Sequence, residues 1–190
     1  MSANNTKRQK CVIFERMEII DYNGEGRWSL QGIKERYAAY ARQSKVSPPL
    51  DLKPNEHEER NRRWIYPVMF QVIEGIEKGD KACIAIGVEF IEEDERFSFG
   101  RIIKSNTARA LRRAELTSEQ AERIRSRVVQ MLIAEHVPRE YREYAKLLRK
   151  VGLGDWWFSL NSERVAIIRM SCVTTGISSS TFVRNEPASV

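Results

Sequence analysis

Apolar residues recur with helical spacing between residues 99 and 151, and this pattern predicts three amphipathic helices. The second is expected over residues 118–135, because Thr117 and Gln120 are placed like a capping box at its start. The third should end at Gly152, since glycine is typical of helix C-termini. The apolar face of the first helix is formed by Ile102, Ile103, Ala110, Leu111 and Ala114.

Helices are also predicted upstream of this segment. Ser29 is a suitable N-cap for a helix over residues 30–44. Residues 45–55 contain three prolines and predict an extended connection. A further helix is expected to begin near Glu56 and to be kinked or divided at Pro67.

Residues 81–91 are apolar on almost every side, which is typical of a central, buried helix. Asp80 is a suitable N-cap for this helix. The acidic cluster Glu92 to Glu95 follows directly. We expect these side chains to form a solvated polar loop that pairs with neighbouring arginines. Metal binding or acid–base chemistry is the less favoured alternative, because no His, Cys or Gly-rich loop accompanies the carboxylates.

The predicted fold is therefore all-α, built from stacked antiparallel helical hairpins. Residues 107–116 align with residues 144–153 at an offset of 37 positions, a period that lies between the lengths of known two-helix repeats. In organisation the predicted helix pairs loosely resemble HEAT-type repeats. The alternative is a chance alignment of two amphipathic helices that are both rich in Leu and Arg.

Three regions are expected along the chain. Residues 1–28 form a basic N-terminal lead-in, in which the segment 11–22 is either strand or helix. Residues 29–160 form the helical domain, and residues 161–190 a short element and a flexible tail rich in Ser and Thr. The aromatic cluster Trp156 to Phe158 is expected to cap the helical core, and the alternative is that it stacks on nucleic-acid bases or anchors a partner.

Charge is concentrated in one part of the sequence. Residues 99–151 contain 13 Lys or Arg and six Asp or Glu, whereas the whole chain has a net charge of +6. A local excess of this kind predicts a surface that attracts anions. The alternative is a solvated face whose cations pair with glutamates on the same helices. Helical periodicity places ten cations opposite the apolar stripes of the three helices. These candidate nucleic-acid-binding residues are Arg101, Lys104, Arg109, Arg112, Arg123, Arg127, Arg142, Lys146, Arg149 and Lys150.

No catalytic or cofactor motif is present in the sequence. The two histidines, His57 and His136, are 79 positions apart and lie outside any metal-ligand spacing. The three cysteines form no CxxC pair, which favours reduced thiols and a cytoplasmic location. No apolar run reaches the length of a membrane span. We therefore expect neither a metal nor another cofactor, and no membrane association; the oligomeric state stays open.

Two functional hypotheses remain, and an enzyme is a third and weaker one. The first is a non-enzymatic helical module that binds nucleic acid, DNA or RNA, or another polyanion through the basic face of residues 99–151. The second is a protein-interaction scaffold, in which a groove between stacked helices receives a protein partner. The two differ in the effect of salt, which should weaken only the first kind of binding.

Overall fold

The structure is a computed structural model and describes residues 17–95 and 98–156. Over these residues the chain forms six α-helices, one short 3-10 helix and a three-stranded sheet. The all-α prediction is therefore only approximately right. In chain order the elements are β1 (Glu18–Asp21), the 3-10 helix (Gly26–Trp28), α1 (Leu30–Gln43), β2 (Glu56–Glu59), β3 (Arg62–Ile65), α2 (Met69–Glu77), α3 (Lys81–Glu93), α4 (Gly100–Arg113), α5 (Ser118–Ile133) and α6 (Tyr141–Val151).

Several predictions fall on parts of the chain outside the described residues. These are the first 16 residues of the N-terminal lead-in, the second and third members of the aromatic cluster, and the predicted C-terminal element and tail at 161–190. Among the helices within residues 17–95 and 98–156, none is long and apolar enough to cross a membrane.

The helix predicted from Glu56 is wrong before Pro67, where the chain forms strands, and is confirmed after it, where α2 forms. β2 and β3 pair antiparallel, and β1 pairs with β3 in parallel, giving the strand order β1-β3-β2. Opposite charges favour this pairing, since the Nε atom of Arg62 lies 2.8 Å from Oε2 of Glu18 and Arg63 pairs with Glu56. Pro67 disfavours a helical conformation in the residue before it, and α2 begins only after it.

Most predicted helix ends are confirmed. Ser29 accepts a hydrogen bond from the backbone N–H of Gly32, and Asp80 accepts two from the first turn of α3. Thr117 and Gln120 form a complete capping box at the start of α5. These caps satisfy N–H groups that have no partner within the helix, which explains why short-range sequence signals located them.

Helix α3 is the centre of the fold, as its apolar composition predicted. It packs against α1, α2, α4 and α5, and α6 packs against α4 and α5. The two segments that align at an offset of 37 positions lie on the neighbouring helices α4 and α6. Thr107 and its counterpart Tyr144 are both fully buried there. A HEAT-type repeat is not confirmed, because α4 and α5 do not pack on each other as one of its hairpins would.

Gly75 of α2 lies against Cys83 of α3, and substitution of this glycine is expected to lower stability. A Cβ atom at this position would overlap Sγ of Cys83 and lie 3.0 Å from Cδ1 of Leu50. Gly75→Ala should therefore lower the free energy of unfolding by about 1–3 kcal/mol, measured by urea denaturation. In the double variant with Cys83→Ala the overlapping sulfur is gone, so the loss should be smaller than the sum of the two single losses. Strict additivity would contradict the packing described.

Candidate nucleic-acid interface

Three of the ten candidate cations converge on one carboxylate between α4 and α6. The Oε2 atom of Glu143 lies 3.5 Å from Nε of Arg109 and 3.7 Å from Nη1 of Arg112, and its Oε1 atom lies 2.7 Å from Nζ of Lys146. We call Arg109, Arg112 and Lys146, with Glu143 between them, the α4–α6 basic surface. Three cations around one carboxylate leave a net charge of +2.

Glu143 is the buried centre of this surface. Its side chain is only 11% exposed, whereas that of Arg109 is 50% exposed. The hydrogen bond from Lys146, reinforced by the charges of Lys146, Arg109 and Arg112, lowers the pKa of Glu143. The carboxylate therefore stays ionised and holds the three cations in place, while their outer faces remain open to solvent.

The local sequence explains why the cations gather there. Arg109 and Arg112 are three residues apart on α4, as are Glu143 and Lys146 on α6, and residues at this spacing are neighbours on a helix surface. The opposite faces are occupied by core residues such as Leu147. The polar faces therefore lie side by side where α4 packs against α6.

Four further candidates lie on the same two helices. Arg142 and Arg149 are exposed and are one helical turn before and after Lys146. Nζ of Lys150 donates to the backbone oxygens of Leu111, at 3.1 Å, and Ala114, and so caps the C-terminus of α4. The fourth, Arg101, is exposed in the first turn of α4, about two turns from the α4–α6 basic surface.

The structure places Lys104 in the interior, so its predicted position opposite the core stripe is wrong. The residue is only 7% exposed, and its Nζ atom lies 2.6 Å from Oδ1 of Asp94. The physical reason is that α4 packs against α2, α3 and α6, so the buried part of its circumference is wider than one apolar stripe. Lys104 cannot reach a ligand phosphate from this position.

Arg123 and Arg127 also lie apart from the α4–α6 basic surface. They belong to α5 and extend toward the C-terminal end of α3. Nε of Arg123 donates to Oε2 of Glu92 at 3.0 Å, and Nη2 of Arg127 lies 3.5 Å from Oδ2 of Asp94. Both cations neutralise carboxylates of the protein itself.

The acidic cluster at the end of α3 is therefore an ion-pair centre. Glu92 pairs with Arg123, and Oε1 of Glu93 lies 2.7 Å from Nη1 of Arg27. Pairing with arginines is confirmed, but the expected solvated loop is wrong for Asp94, whose side chain is only 7% exposed. This residue ends α3 in the left-handed conformation, with φ of 50°, which Asp tolerates better than most residues.

A buried charge network that sequence reasoning missed joins α1 to α3. Glu89 is 7% exposed, and its Oε2 atom lies 2.5 Å from Nη1 of Arg36 and 3.2 Å from Nη2 of Arg27. The hydroxyl of Tyr40 donates to its other oxygen, and burial, with this hydrogen bond, raises the pKa of Tyr40. The guanidinium of Arg36 lies 4.1 Å from the ring centroid of Trp28. In the sequence, the only sign of this network is Glu89, which is the single charged residue in the apolar run from Ala82 to Ile91.

The aromatic cluster is only partly described. Trp156 is half-buried, and its indole Nε1 donates to Oε1 of Glu122 at 3.2 Å. This contact places Trp156 beside the start of α5. Trp157 and Phe158 lie outside the described residues.

The arrangement of the described side chains does not support a metal site. Within residues 17–95 and 98–156, no three His, Cys, Asp or Glu side chains are grouped as metal ligands would be. His57 stacks on Trp64, and Nε2 of His136 lies 3.8 Å from Oδ2 of Asp94.

Comparison with known protein families, with curated proteins and with solved structures finds no match to this chain.

Proposed function

We propose that the protein is a non-enzymatic module that binds nucleic acid, or a polyanion of similar charge, through the α4–α6 basic surface. The observation that supports this is the sharing of one buried carboxylate by three cations. On a polar face with no ligand, each cation could pair with a carboxylate of its own. Here a charge of +2 is held on the outer side of two packed helices.

The physical basis of such binding is the release of counterions. Lys and Arg held near phosphates displace condensed cations from the nucleic acid, so the logarithm of affinity falls linearly with the logarithm of salt concentration. Contacts of this kind position the ligand but read no base sequence. We therefore propose affinity that is sensitive to salt and largely independent of sequence.

The proposed interface includes only some of the ten candidate residues. It is centred on Arg109, Arg112 and Lys146, and Arg142 and Arg149 extend it along α6. Arg123 and Arg127 are engaged with Glu92 and Asp94, and Lys104 is buried. These three stabilise the fold and are not part of the proposed interface.

A repeat-like arrangement is a second part of the proposal. α2, α4 and α6 form one row of neighbouring helices, and α3 and α5 form another. We propose that α3–α4 and α5–α6 are successive units of one helical repeat, because the two helices of each unit pack on each other. The alignment of residues 107–116 with residues 144–153 supports this, because the two segments lie on the neighbouring helices α4 and α6 of one row.

The test is fluorescence anisotropy with single- and double-stranded DNA and RNA across a salt series. Arg109→Glu/Arg112→Glu should weaken binding at least tenfold at low salt, because it reverses two of the three cations. The salt slope should become shallower by about 0.7–0.9 for each phosphate that the variant no longer neutralises. Arg109→Gln/Arg112→Gln, which adds no carboxylate beside Glu143, should have a smaller effect in the same direction.

The matched control is Lys34→Glu/Arg42→Glu, which makes the same change in net charge on α1. It should alter affinity less than twofold, apart from the small effect of net charge at low salt. If both reversal variants weaken binding equally, overall charge and not the α4–α6 basic surface is responsible. Absence of binding by the unaltered protein at low salt would refute the proposed function.

A protein-interaction scaffold is the second candidate, and one apolar surface favours it. Phe99 and Ile102 are exposed at the start of α4, and the Phe99 ring centroid lies 5.2 Å from that of Tyr22 and 6.2 Å from that of Tyr66. Adjacent exposed apolar side chains are typical of protein contact sites. Binding to a protein through this surface would be insensitive to salt.

A further inference from the structure

A cleft of about 790 Å³ lies where the α4–α6 basic surface ends. It is enclosed by the C-terminal ends of α4 and α6 and by the start of α5. Arg112 belongs both to the α4–α6 basic surface and to the wall of the cleft, so the two are continuous. The charged residues that line the cleft are Arg112, Arg113, Arg125, Lys150, Glu115 and Glu122.

The charged lining of this cleft is mainly basic. Four cations and two carboxylates line it. Two of the cations have a further carboxylate nearby, since Nη1 of Arg112 lies 3.7 Å from Glu143 and Nη1 of Arg113 lies 3.6 Å from Glu77. The N-terminus of α5 adds a partial positive charge and the C-termini of α4 and α6 add partial negative charges.

Lys150 is the least compensated of these cations. Its Nζ atom donates to two backbone oxygens, and no carboxylate oxygen of the described residues lies within 4.0 Å of it. Partial burial lowers the pKa of Lys150, and the charge of Glu115 opposes this shift. An anionic ligand in the cleft would give Lys150 a direct ionic partner.

Arg125 gives the cleft a fixed wall. Its Nε atom donates to the backbone oxygen of Gly152 at 2.8 Å, and its Nη2 atom donates to that of Val151 at 2.7 Å. It also pairs with Glu122. The side chain joins α5 to the end of α6, so the cleft is built on packed helix ends.

We propose that this cleft binds the terminal phosphate of a nucleic-acid strand that lies along the α4–α6 basic surface. This inference rests on the proposed function and specifies its ligand. A terminal phosphomonoester carries a charge of about −1.5 to −2 at pH 7, so it attracts the four lining cations more strongly than an internal phosphodiester, which carries only one negative charge. Arg113 and Lys150 would contact the terminal phosphate, and Arg112 would bridge to the preceding one.

The test compares three single-stranded DNA ten-mers of one sequence, with a 5′-phosphate, a 3′-phosphate or hydroxyls at both ends. Their affinities for the full chain are measured by fluorescence anisotropy at fixed ionic strength. One of the phosphorylated strands is expected to bind at least fivefold more tightly than the unphosphorylated strand. Equal affinity for all three would overturn the inference and leave the proposed function standing. Failure of all three to bind would overturn both.

Variants separate the cleft from the α4–α6 basic surface. Arg113→Gln/Lys150→Gln should reduce the preference for the phosphorylated strand to less than twofold. Arg109→Gln/Lys146→Gln should weaken all three strands together and preserve the preference. Because Lys150 also caps α4, Arg113→Gln alone provides a second test and should at least halve the preference. A preference that survives both cleft variants would overturn the inference. Lys34→Gln/Arg42→Gln is the matched charge control.

Inorganic phosphate distinguishes specific recognition from screening. Added in place of chloride at constant ionic strength, it should remove the preference for the phosphorylated strand and leave the affinity for the unphosphorylated strand unchanged. If it instead weakens all strands equally, the cleft does not recognise a terminal phosphate and the inference is wrong.

Discussion

Glu89→Gln is expected to lower the free energy of unfolding by about 3–5 kcal/mol, because removal of one partner from a buried ion pair leaves the other charge uncompensated. Glu89 is 7% exposed and is contacted by Arg36, Arg27 and Tyr40. Glutamine has nearly the same shape as glutamate, so the change removes the charge while preserving the volume. Urea denaturation followed by circular dichroism at 25 °C measures the effect.

Two further variants establish the cause. Glu74→Gln makes the same change at an exposed site on α2 and should change the free energy of unfolding by less than about 0.5 kcal/mol. Glu89→Met/Arg36→Met removes both charges, and its loss should be smaller than the sum of the single losses. A loss below about 1 kcal/mol for Glu89→Gln would show that the network does not anchor α1 to α3.

Asp94→Asn should have an effect of similar size at the other end of α3. It leaves Lys104 buried with only the backbone oxygen of residue 94 as its partner, at 2.9 Å, and removes the counter-charge of Arg127. The expected loss is about 3–5 kcal/mol. Asparagine is chosen because it tolerates the left-handed conformation of residue 94, so backbone strain does not contribute.

The matched comparisons are Lys104→Met and Glu95→Gln. Lys104→Met leaves Asp94 with Arg127 and should cost less, about 1–3 kcal/mol. Glu95 is the exposed neighbour of Asp94, and its replacement should have little effect. If Lys104→Met proved as harmless as Glu95→Gln, the assignment of Lys104 to the interior would be contradicted.

These two networks show that several basic residues of the chain pair with its own carboxylates. Arg27, Arg36, Lys104, Arg123 and Arg127 are engaged with carboxylates of α3 and of Asp94 at its end. A count of charges along the sequence cannot separate such structural cations from those that can meet a ligand. Of the ten candidate cations, those that the structure leaves exposed lie on α4 and α6.

The sequence by itself determined the local features of this protein. The capping residues Ser29, Asp80 and Thr117 and the apolar character of α3 were all recognised correctly. Each depends on residues no more than about four positions apart, because helix periodicity and capping hydrogen bonds are short-range. The amphipathic helices of the basic segment follow from the same physics.

Only the tertiary structure decided which polar residues are buried and where strands form. The sheet requires β1 to meet β3 more than 40 residues later in the chain, and pairing over such distances leaves no local periodicity. Helical periodicity predicted Lys104 on the polar side of α4, because periodicity cannot show how many helices pack around α4. Glu89 meets Arg36 across 53 positions, and burial of a charge is set by such distant partners, because only they can replace the water that it loses.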